Sequence, residues 1–316
     1  MSRSELRFLI TGATGFAGRH LLRLLRQQHP GASLHGTTLT SGGTLEGVTL
    51  HELDLCAGDK TAQMLQEARP QFVAHLAAMS SPRQSFAQPW ATIRNNLLAQ
   101  IHLLEACAAL ETQPRVLVVT TSDIYDPGDD PVSEDSPLLP TSPYAVSKIA
   151  QDMHALQFGL ERGLQIVRAR PFNFMGPGQE EGFVAADFAW QVARIEAGLQ
   201  SPVINVGNLA ARRDFCDVRD VVRAFSLLLA RGTAGRAYNV ASGKACSIRS
   251  LLDRLLAISS APIDVRVDES RLVPLDVPLK RGDNRRLREA TGWQPKFSLQ
   301  QSLRDLLQHC RDALRA

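Results

Sequence analysis

Cysteine is sparse and scattered in this 316-residue chain: Cys56, Cys107, Cys216, Cys246 and Cys310 form no Cys-x-x-Cys pair. That spacing excludes a zinc ribbon and a disulfide framework, and the thiols read as reduced, structural residues. Long hydrophobic runs are missing too. No stretch approaches membrane-spanning length, and Met1-Ser2-Arg3-Ser4-Glu5 leads into a short strand without the apolar core of a signal peptide. A cytoplasmic protein with no membrane partner is expected. Charge of one sign is also lacking, since the net charge is only +3 and basic residues are interspersed with acids. The densest basic run, Lys280-Arg281-Gly282-Asp283-Asn284-Arg285-Arg286-Leu287-Arg288, carries no interleaved aromatic residue to stack bases and continues into no basic stripe, which argues against nucleic acid. No metal site is expected either: His75 ends an apolar strand without ligands at suitable spacing, and reads as packed and hydrogen-bonded.

What the chain does have is alternation. At 44% hydrophobic and 21% charged, it is long enough for one large α/β domain or a large and a small one. Apolar strands at 6–10, 33–38, 48–53, 72–76 and 116–120 alternate with amphipathic helices, one from Gly15 and a long one over 90–110. That pattern indicates an α/β fold with a doubly wound parallel sheet, the Rossmann arrangement. A further helix runs to Arg162, before a strand at 164–169. After Arg170 the regularity breaks into a Pro and Gly loop, a helix over 183–199, strands at 203–206 and 237–240 flanking a helix at 218–231, and short helices among Pro262, Pro274 and Pro278. The division predicted is a dinucleotide-binding part at 1–172, rejoined by about 203–243, and a smaller C-terminal lobe from 173–202 and 244–316.

Thr11-Gly12-Ala13-Thr14-Gly15-Phe16-Ala17-Gly18 follows the first strand and leads into a helix. Gly12 permits the tight turn, Gly15 lets backbone amides approach a pyrophosphate, and Gly18 lets helix and strand pack closely. The helix N-terminus then faces the anion. An NAD-selective site ends its second strand in an acid for the ribose 2′-hydroxyl; here it ends Leu34-His35-Gly36-Thr37-Thr38, with none. NADP is therefore the expected cofactor, with NAD possible, and Arg19, His35 or Thr37 would meet a 2′-phosphate. Asp54 and Leu55 are placed at the adenine edge, and Leu76, Ala77 and Ala78 beneath the nicotinamide ribose. Asn95 and Asn96 are read as helix caps rather than as buttresses of the site.

Ser142-Pro143-Tyr144-Ala145-Val146-Ser147-Lys148 places a phenol and an ammonium one helical turn apart on the same face. A phenol titrates near pH ~10, so a neighbouring cation is needed to stabilise its anion and make it useful near neutrality. Lys148 is assigned that task. Thr121-Ser122-Asp123 follows the apolar run Val116-Leu117-Val118-Val119.

These motifs, with His75-Leu76-Ala77-Ala78, Thr121-Ser122-Asp123-Ile124-Tyr125 and Arg170-Pro171-Phe172-Asn173, resemble the extended short-chain dehydrogenases that act on nucleotide-sugars, over nearly the whole chain. The resemblance implies Tyr144 as acid/base, Lys148 on the ribose, Thr121 on the reacting oxygen, Asp123 beside them, and Pro171 at the cofactor. Hydride addition to a C4 ketone would leave an alkoxide for the phenol to protonate. Pro171 to Gln179, Gly182-Phe183-Val184, Val206-Gly207-Asn208-Leu209 and Arg213-Asp214-Phe215 resemble the branch of GDP-mannose 4,6-dehydratases and GDP-4-keto-6-deoxy-mannose reductases, more closely the reductases. Ser80, Ser122, Asn173, Phe183, Val184, Asn208, Arg213, Arg271 and Arg281 are the implied contacts for a GDP-linked sugar, with Arg213 weighed against an ordinary surface arginine. A homodimer built on the two long helices is also implied. The dehydratase branch usually carries Glu where Asp123 stands, which disfavours elimination. Val273 stands where an arginine often grips the diphosphate, a duty passed to Arg271, Lys280 or Arg281. Asp126 replaces a usual glycine, with no role assigned. Within the same family the rivals are a 4,6-dehydratase or a 4-epimerase; outside enzymes, a non-catalytic dinucleotide-binding regulator.

Overall fold

Strand–helix alternation in the first half runs β1 (Arg7–Thr11), α1 (Phe16–Gln28), β2 (Ser33–Thr38), β3 (Thr49–Glu52), α2 (Gly58–Ala68) and β4 (Phe72–His75). It continues with α3 (Pro82–Ala87), α4 (Pro89–Ala108), β5 (Arg115–Val119), α5 (Pro143–Arg162) and β6 (Ile166–Pro171). Then come β7 (Asn173–Met175), α6 (Val184–Glu196), β8 (Val203–Val206), β9 (Arg212–Asp217), α7 (Val218–Arg231) and β10 (Ala237–Val240). The C-terminal part holds β11 (Ala245–Ser247), α8 (Ile248–Leu256), β12 (Asp264–Val267), β13 (Leu279–Lys280), α9 (Arg285–Thr291) and α10 (Leu299–Ala313). The computed structural model describes residues 6–40, 42–126, 128–269 and 277–315.

Seven strands form one parallel sheet in the order β10-β6-β5-β4-β1-β2-β3. Helices cover both faces, which is why β5 and β6 are apolar or paired along their whole length. On one face, Ile10, Leu21, Leu25, Val221, Phe225 and Trp293 join β1 to α1 and α7. On the other, Leu9, Leu65, Leu103, Leu104, Val118 and Phe158 join it to α2, α4 and α5. Each such fully buried Leu or Phe contributes about 1.5–3 kcal/mol over its exposed state. The strand order reverses between β1 and β4, so a crevice opens at their carboxyl ends, beside the glycine turn.

A third core, with Phe188, Val192, Leu251, Leu252, Leu306 and Leu307, is built from α6, α8 and α10. Its sheets are small: β11-β9-β13, with β7 pairing β9, and the pair β12-β8. Here the sequence-based division is corrected. Val203–Val206 does not rejoin the large sheet but pairs β12 of the lobe, so the return falls to α7 and β10. Four apolar or mixed residues suit either sheet equally, and only the partner strand decides.

Sequence punctuation explains the α5 boundaries. The Ser142 hydroxyl accepts the Ala145 amide, Pro143 occupies the first turn, and Gly163 closes the helix at φ 71°. Tyr144 is thereby fixed at the helix start, where the Ser85 hydroxyl also accepts its amide at 3.1 Å.

Candidate active site

The glycine turn is shaped by close backbone contact. A Cβ on Gly12, which sits at φ +66°, would come within 3.1 Å of the Ala77 backbone. One on Gly18 would lie 2.3 Å from the Gly12 carbonyl oxygen, so α1 runs against the turn as the motif requires. No side chain caps α1 at Gly15 and no acid stands in its first turn. Those features suit a bound pyrophosphate, whose charge the helix N-terminus and its free amides would meet. The residues present therefore fit a dinucleotide at Gly12, Thr14, Gly15, Phe16, Ala17 and Gly18.

Thr11, passed over in the sequence, ties this turn to β4. Its hydroxyl accepts the amides of Leu76 and Ala77 at 3.0 and 3.1 Å and pairs with His75 Nδ1 at 2.9 Å. Leu76 and Ala77 are thus held against the glycine turn. His75 is buried as expected, and burial pushes its pKa down to about 3, with the Lys148 charge adding to the shift. Asp54 caps its own turn by accepting the Cys56 amide at 2.9 Å, and Leu55 is buried.

Two expectations for the 2′-phosphate fail on geometry. Thr37 is buried and its hydroxyl accepts the Gly12 amide at 3.2 Å, supporting the turn from beneath. His35 lies mid-strand, engaged by Ser33 and by His51 Nε2 at 3.0 Å. Arg19 is exposed and donates to the Thr14 carbonyl at 2.7 Å. The strand end instead presents linked hydroxyls, Thr14 to Thr38 at 3.1 Å and Thr38 to Thr40 at 2.9 Å.

Thr121, Asp123, Tyr144 and Lys148 do come together. β5 delivers a single 3₁₀ turn, Ser122 to Ile124, whose start is capped by the Thr121 hydroxyl accepting the Asp123 amide at 3.2 Å. Burial raises the Tyr144 pKa above the usual phenol range; the Asp123 charge adds to this and the Thr121 hydrogen bond opposes it. Lys148 lies near the phenol, as the one-turn spacing requires. Its ammonium lies 5.9 Å from the Tyr144 ring centroid but donates to the Val119 carbonyl at 3.1 Å, and burial lowers its pKa to about 7. The Thr121 contact also favours the phenolate.

The lobe contributes by register. Lys280 pairs Arg213 and Asn173 pairs Phe215 in parallel ladders, so Asn173, Arg213 and Lys280 share one face of the small sheet. Lys280 is buried and donates to Asp123 Oδ1 at 3.1 Å and the Ser122 carbonyl at 3.3 Å. It is engaged with the catalytic turn rather than turned out toward a diphosphate. Arg281, one residue on, faces the other way and forks onto Asp130 at 2.9 and 3.3 Å. The structure therefore brings Lys280, not Arg281, to the site. Arg213 donates to the Val277 and Arg212 carbonyls. Phe183 is the extended cap residue before α6, Val184 begins the helix, and the Asn208 side chain accepts the Ala210 amide. Ser122 is buried, Ser80 is exposed, Pro171 ends β6, and Arg271 lies outside the described residues.

Two buried groups beneath the site were not read correctly. Asn96 is mid-helix, not a cap: it accepts the Met79 amide at 2.7 Å and donates to Ser147 Oγ at 2.9 Å, bracing the chain after β4 against α5. Asp152, one turn past Lys148, accepts Arg170 at 2.9 and 2.7 Å and also Arg168. Burial works against its charge, but these hydrogen bonds hold its pKa below the usual carboxylate range. Arg170 reaches on to the Tyr125 hydroxyl, which donates to Asn239. An Asp at a spacing of four after the lysine is a signal that could have been noticed.

A parallel sheet with a glycine turn at its switch point, and a Thr, Tyr and Lys set on β5 and α5, defines an NAD(P)-dependent oxidoreductase of the short-chain dehydrogenase type. The comparisons narrow this class. The chain belongs to the GDP-mannose 4,6 dehydratase family, whose model matches residues 9–306. It is 35% identical over 304 residues to the GDP-6-deoxy-D-mannose reductase of Pseudomonas aeruginosa, covering 95% of this chain and 96% of that one. Among solved structures it resembles RMD from Pseudomonas aeruginosa complexed with NADPH, with a TM-score of 0.84, 33% identity and coverage of 97% and 99%. It also resembles the Thermus thermophilus UDP-glucose 4-epimerase complex with NAD, with a TM-score of 0.86, 28% identity and coverage of 98% and 100%.

Proposed function

We propose that this protein uses NADPH to reduce the C4 ketone of a GDP-linked 4-keto-6-deoxy sugar, giving a GDP-6-deoxyhexose. The observation that carries the reading is the buried Tyr144 phenol, with the Lys148 ammonium 5.9 Å from its ring and Thr121 and Asp123 beside it on the turn that the lobe's Lys280 grips. The full-length likeness to a reductase of that specificity supports it. When bound, the nicotinamide supplies hydride to the C4 carbon. Thr121 and Tyr144 hold the ketone oxygen, and Tyr144 passes its proton to that oxygen as negative charge develops there. A phenol raised by burial remains a far stronger acid than an alcohol, so the transfer still runs downhill. Lys148 holds the ribose, and Asn173 and Arg213 take the diphosphate, for which a guanidinium fork suits paired oxygens. The lobe of 173–217 and 244–316 would thus hold the nucleotide-sugar over the dinucleotide.

Elimination is the weaker alternative, because the short Asp123 carboxylate is already ion-paired with Lys280. Incubation with a GDP-4-keto-6-deoxy sugar should consume NADPH stoichiometrically, followed by absorbance, and Tyr144→Phe should lower turnover by about 10²–10⁴-fold. Product formed without net NADPH consumption would refute the reductase reading, and unchanged turnover in Tyr144→Phe would revive a non-catalytic role.

A homodimer in the cytoplasm is part of the same proposal. Val146, Met153 and Leu160 recur at heptad spacing on α5 and are all exposed, Leu160 at 77%; Phe86 on α3 and Trp90 on α4 are exposed beside them. Such a stripe on two adjacent long helices suits a second copy of the chain.

A further inference from the structure

We propose that Lys280 is a positioning residue for proton transfer: from the lobe, it clamps the Asp123 carboxylate and the Ser122 carbonyl and so sets the electrostatic field at the Tyr144 phenol. The inference rests on the assignment of Tyr144 as proton donor, but not on the identity of the sugar.

Burial is the first ground. An ammonium removed from water costs several kcal/mol unless its protons find acceptors. Lys280 is only 6% exposed, and its two acceptors both belong to one 3₁₀ turn, the turn that also carries Thr121. Asp123, in contrast, keeps 39% of its side chain exposed. The carboxylate thus lies toward the crevice with the ammonium behind it, out of reach of a phosphate. Strand pairing is the second ground. β13 is only two residues long and is held in register beside β9, with Lys280 opposite Arg213. The position of the ammonium is therefore set by the strand that presents Arg213, joining the lobe to the catalytic turn by an ion pair.

The third ground is the company around the phenol. Tyr144 faces Thr121 and Asp123 from the turn after β5, and Lys148 from its own helix. Asp123 faces Tyr144 on one side and Lys280 on the other. Of these groups, Asp123 is the one whose charge opposes loss of the phenolic proton. A cation paired to it screens that opposition. Removing the cation exposes the phenol to the full carboxylate charge, while removing the carboxylate leaves the cation to act alone.

The two removals consequently shift Tyr144 in opposite directions, which general damage to the turn would not do. In the reduction the protonated phenol is the active form, so the basic limb of the kcat/KM profile reports its ionisation. Lys280→Met should move that limb up by about half to one pH unit, and Asp123→Asn should move it down by a similar amount. Lys280→Arg should restore the wild-type limb. In the Asp123→Asn background, Lys280→Met removes the remaining cation and should raise the limb again, so the double variant should lie between the two single variants. The same titration is followed without substrate by NMR of protein labelled with ¹³C at the tyrosine Cζ, the Tyr144 resonance being assigned with Tyr144→Phe. If the wild-type enzyme fails to turn over the keto-sugar while its Tyr144 resonance responds as described, the substrate assignment is wrong and the clamp stands. If Lys280→Met and Asp123→Asn shift Tyr144 in the same direction, or neither shifts it, the clamp is refuted. Should Lys280→Met fail to fold, Lys280→Gln takes its place with the same expected upward shift, and the absence of that shift overturns the proposal.

Discussion

Gly18→Ala sets two physical effects against each other at one atom, and their magnitudes predict the winner. Gly18 lies in the first turn of α1, where alanine is intrinsically better than glycine by about 1 kcal/mol. By propensity alone the variant should be more stable. The added Cβ, however, would sit 2.3 Å from the Gly12 carbonyl oxygen and 2.9 Å from both Cα and carbonyl oxygen of Ala13. All three contacts are backbone atoms, so no side-chain rotation relieves them. Overpacking costs about 1–3 kcal/mol even where flexible neighbours can yield, and here the helix itself must back away from the turn. The expected outcome is a net loss of about 1–2 kcal/mol in urea unfolding. NADPH affinity should fall at least about tenfold, equivalent to about 1.4 kcal/mol, because the first-turn amides retreat from the pyrophosphate. Gly31→Ala is the control, since nothing lies within 4 Å of its Cβ, and it should stay within about 0.5 kcal/mol of wild type. Fluorescence titration with NADPH beside urea denaturation reads both effects. A Gly18→Ala protein that binds NADPH and resists urea like wild type would refute the close-packing argument.

Three further outcomes follow from the same geometry. His75 is held neutral with a folded pKa of about 3, below its unfolded value, so its contribution is complete above about pH 6.5 and drains away as pH falls toward 3. That amounts to at most on the order of 5 kcal/mol, and His75→Gln should flatten the stability–pH curve across that window; equal slopes in wild type and variant would contradict it. Asp152→Ala strands the Arg168 and Arg170 guanidinium groups inside the protein and should cost about 3–5 kcal/mol in chemical denaturation, whereas a loss below about 1 kcal/mol would mean the network is not what holds α5 to β6. Leu160→Glu combined with Trp90→Glu should leave the fold intact, both side chains being about three-quarters exposed, yet convert a dimer to a monomer by light scattering. A variant that stays dimeric would place the interface elsewhere.

The contrast between what could and could not be read from the sequence has a physical basis. The strands β1, β4 and β5 were legible because each is a mostly apolar run punctuated by a nearby glycine or proline. Gly12 to Gly18 and Tyr144 to Lys148 were legible because their chemistry works over seven residues or one helical turn. β9, β11 and β13 were not, since a strand of two to six mixed residues carries no usable period. Lys280 and Asp123 are separated by 157 positions, and Thr11 and His75 by 64, so no local pattern announces either pair. Asn96 was misread because asparagine favours caps in general, yet here it is buried in the middle of α4 with four neighbouring groups to satisfy. Tertiary demand overrode propensity.

At Lys148 the local motif underdetermines the chemistry. One helical turn guarantees that phenol and ammonium lie on the same face, but not that the ammonium points at the phenol. In this structure it points at the end of β5, and burial makes its charge costly. The field at Tyr144 is also set by the turn after β5, through Thr121 and Asp123, and under the proposal above by Lys280 acting through Asp123 from the lobe. The proton donor proposed here would then depend on a lobe that also holds Asn173 and Arg213. Anything that shifts β9 and β13 relative to β5 must therefore alter phosphate contact and proton transfer together. Substitutions in the hydrophobic core under β9, such as Phe215→Ala, should accordingly lower kcat as well as raise KM, whereas a purely local acid would lose only binding.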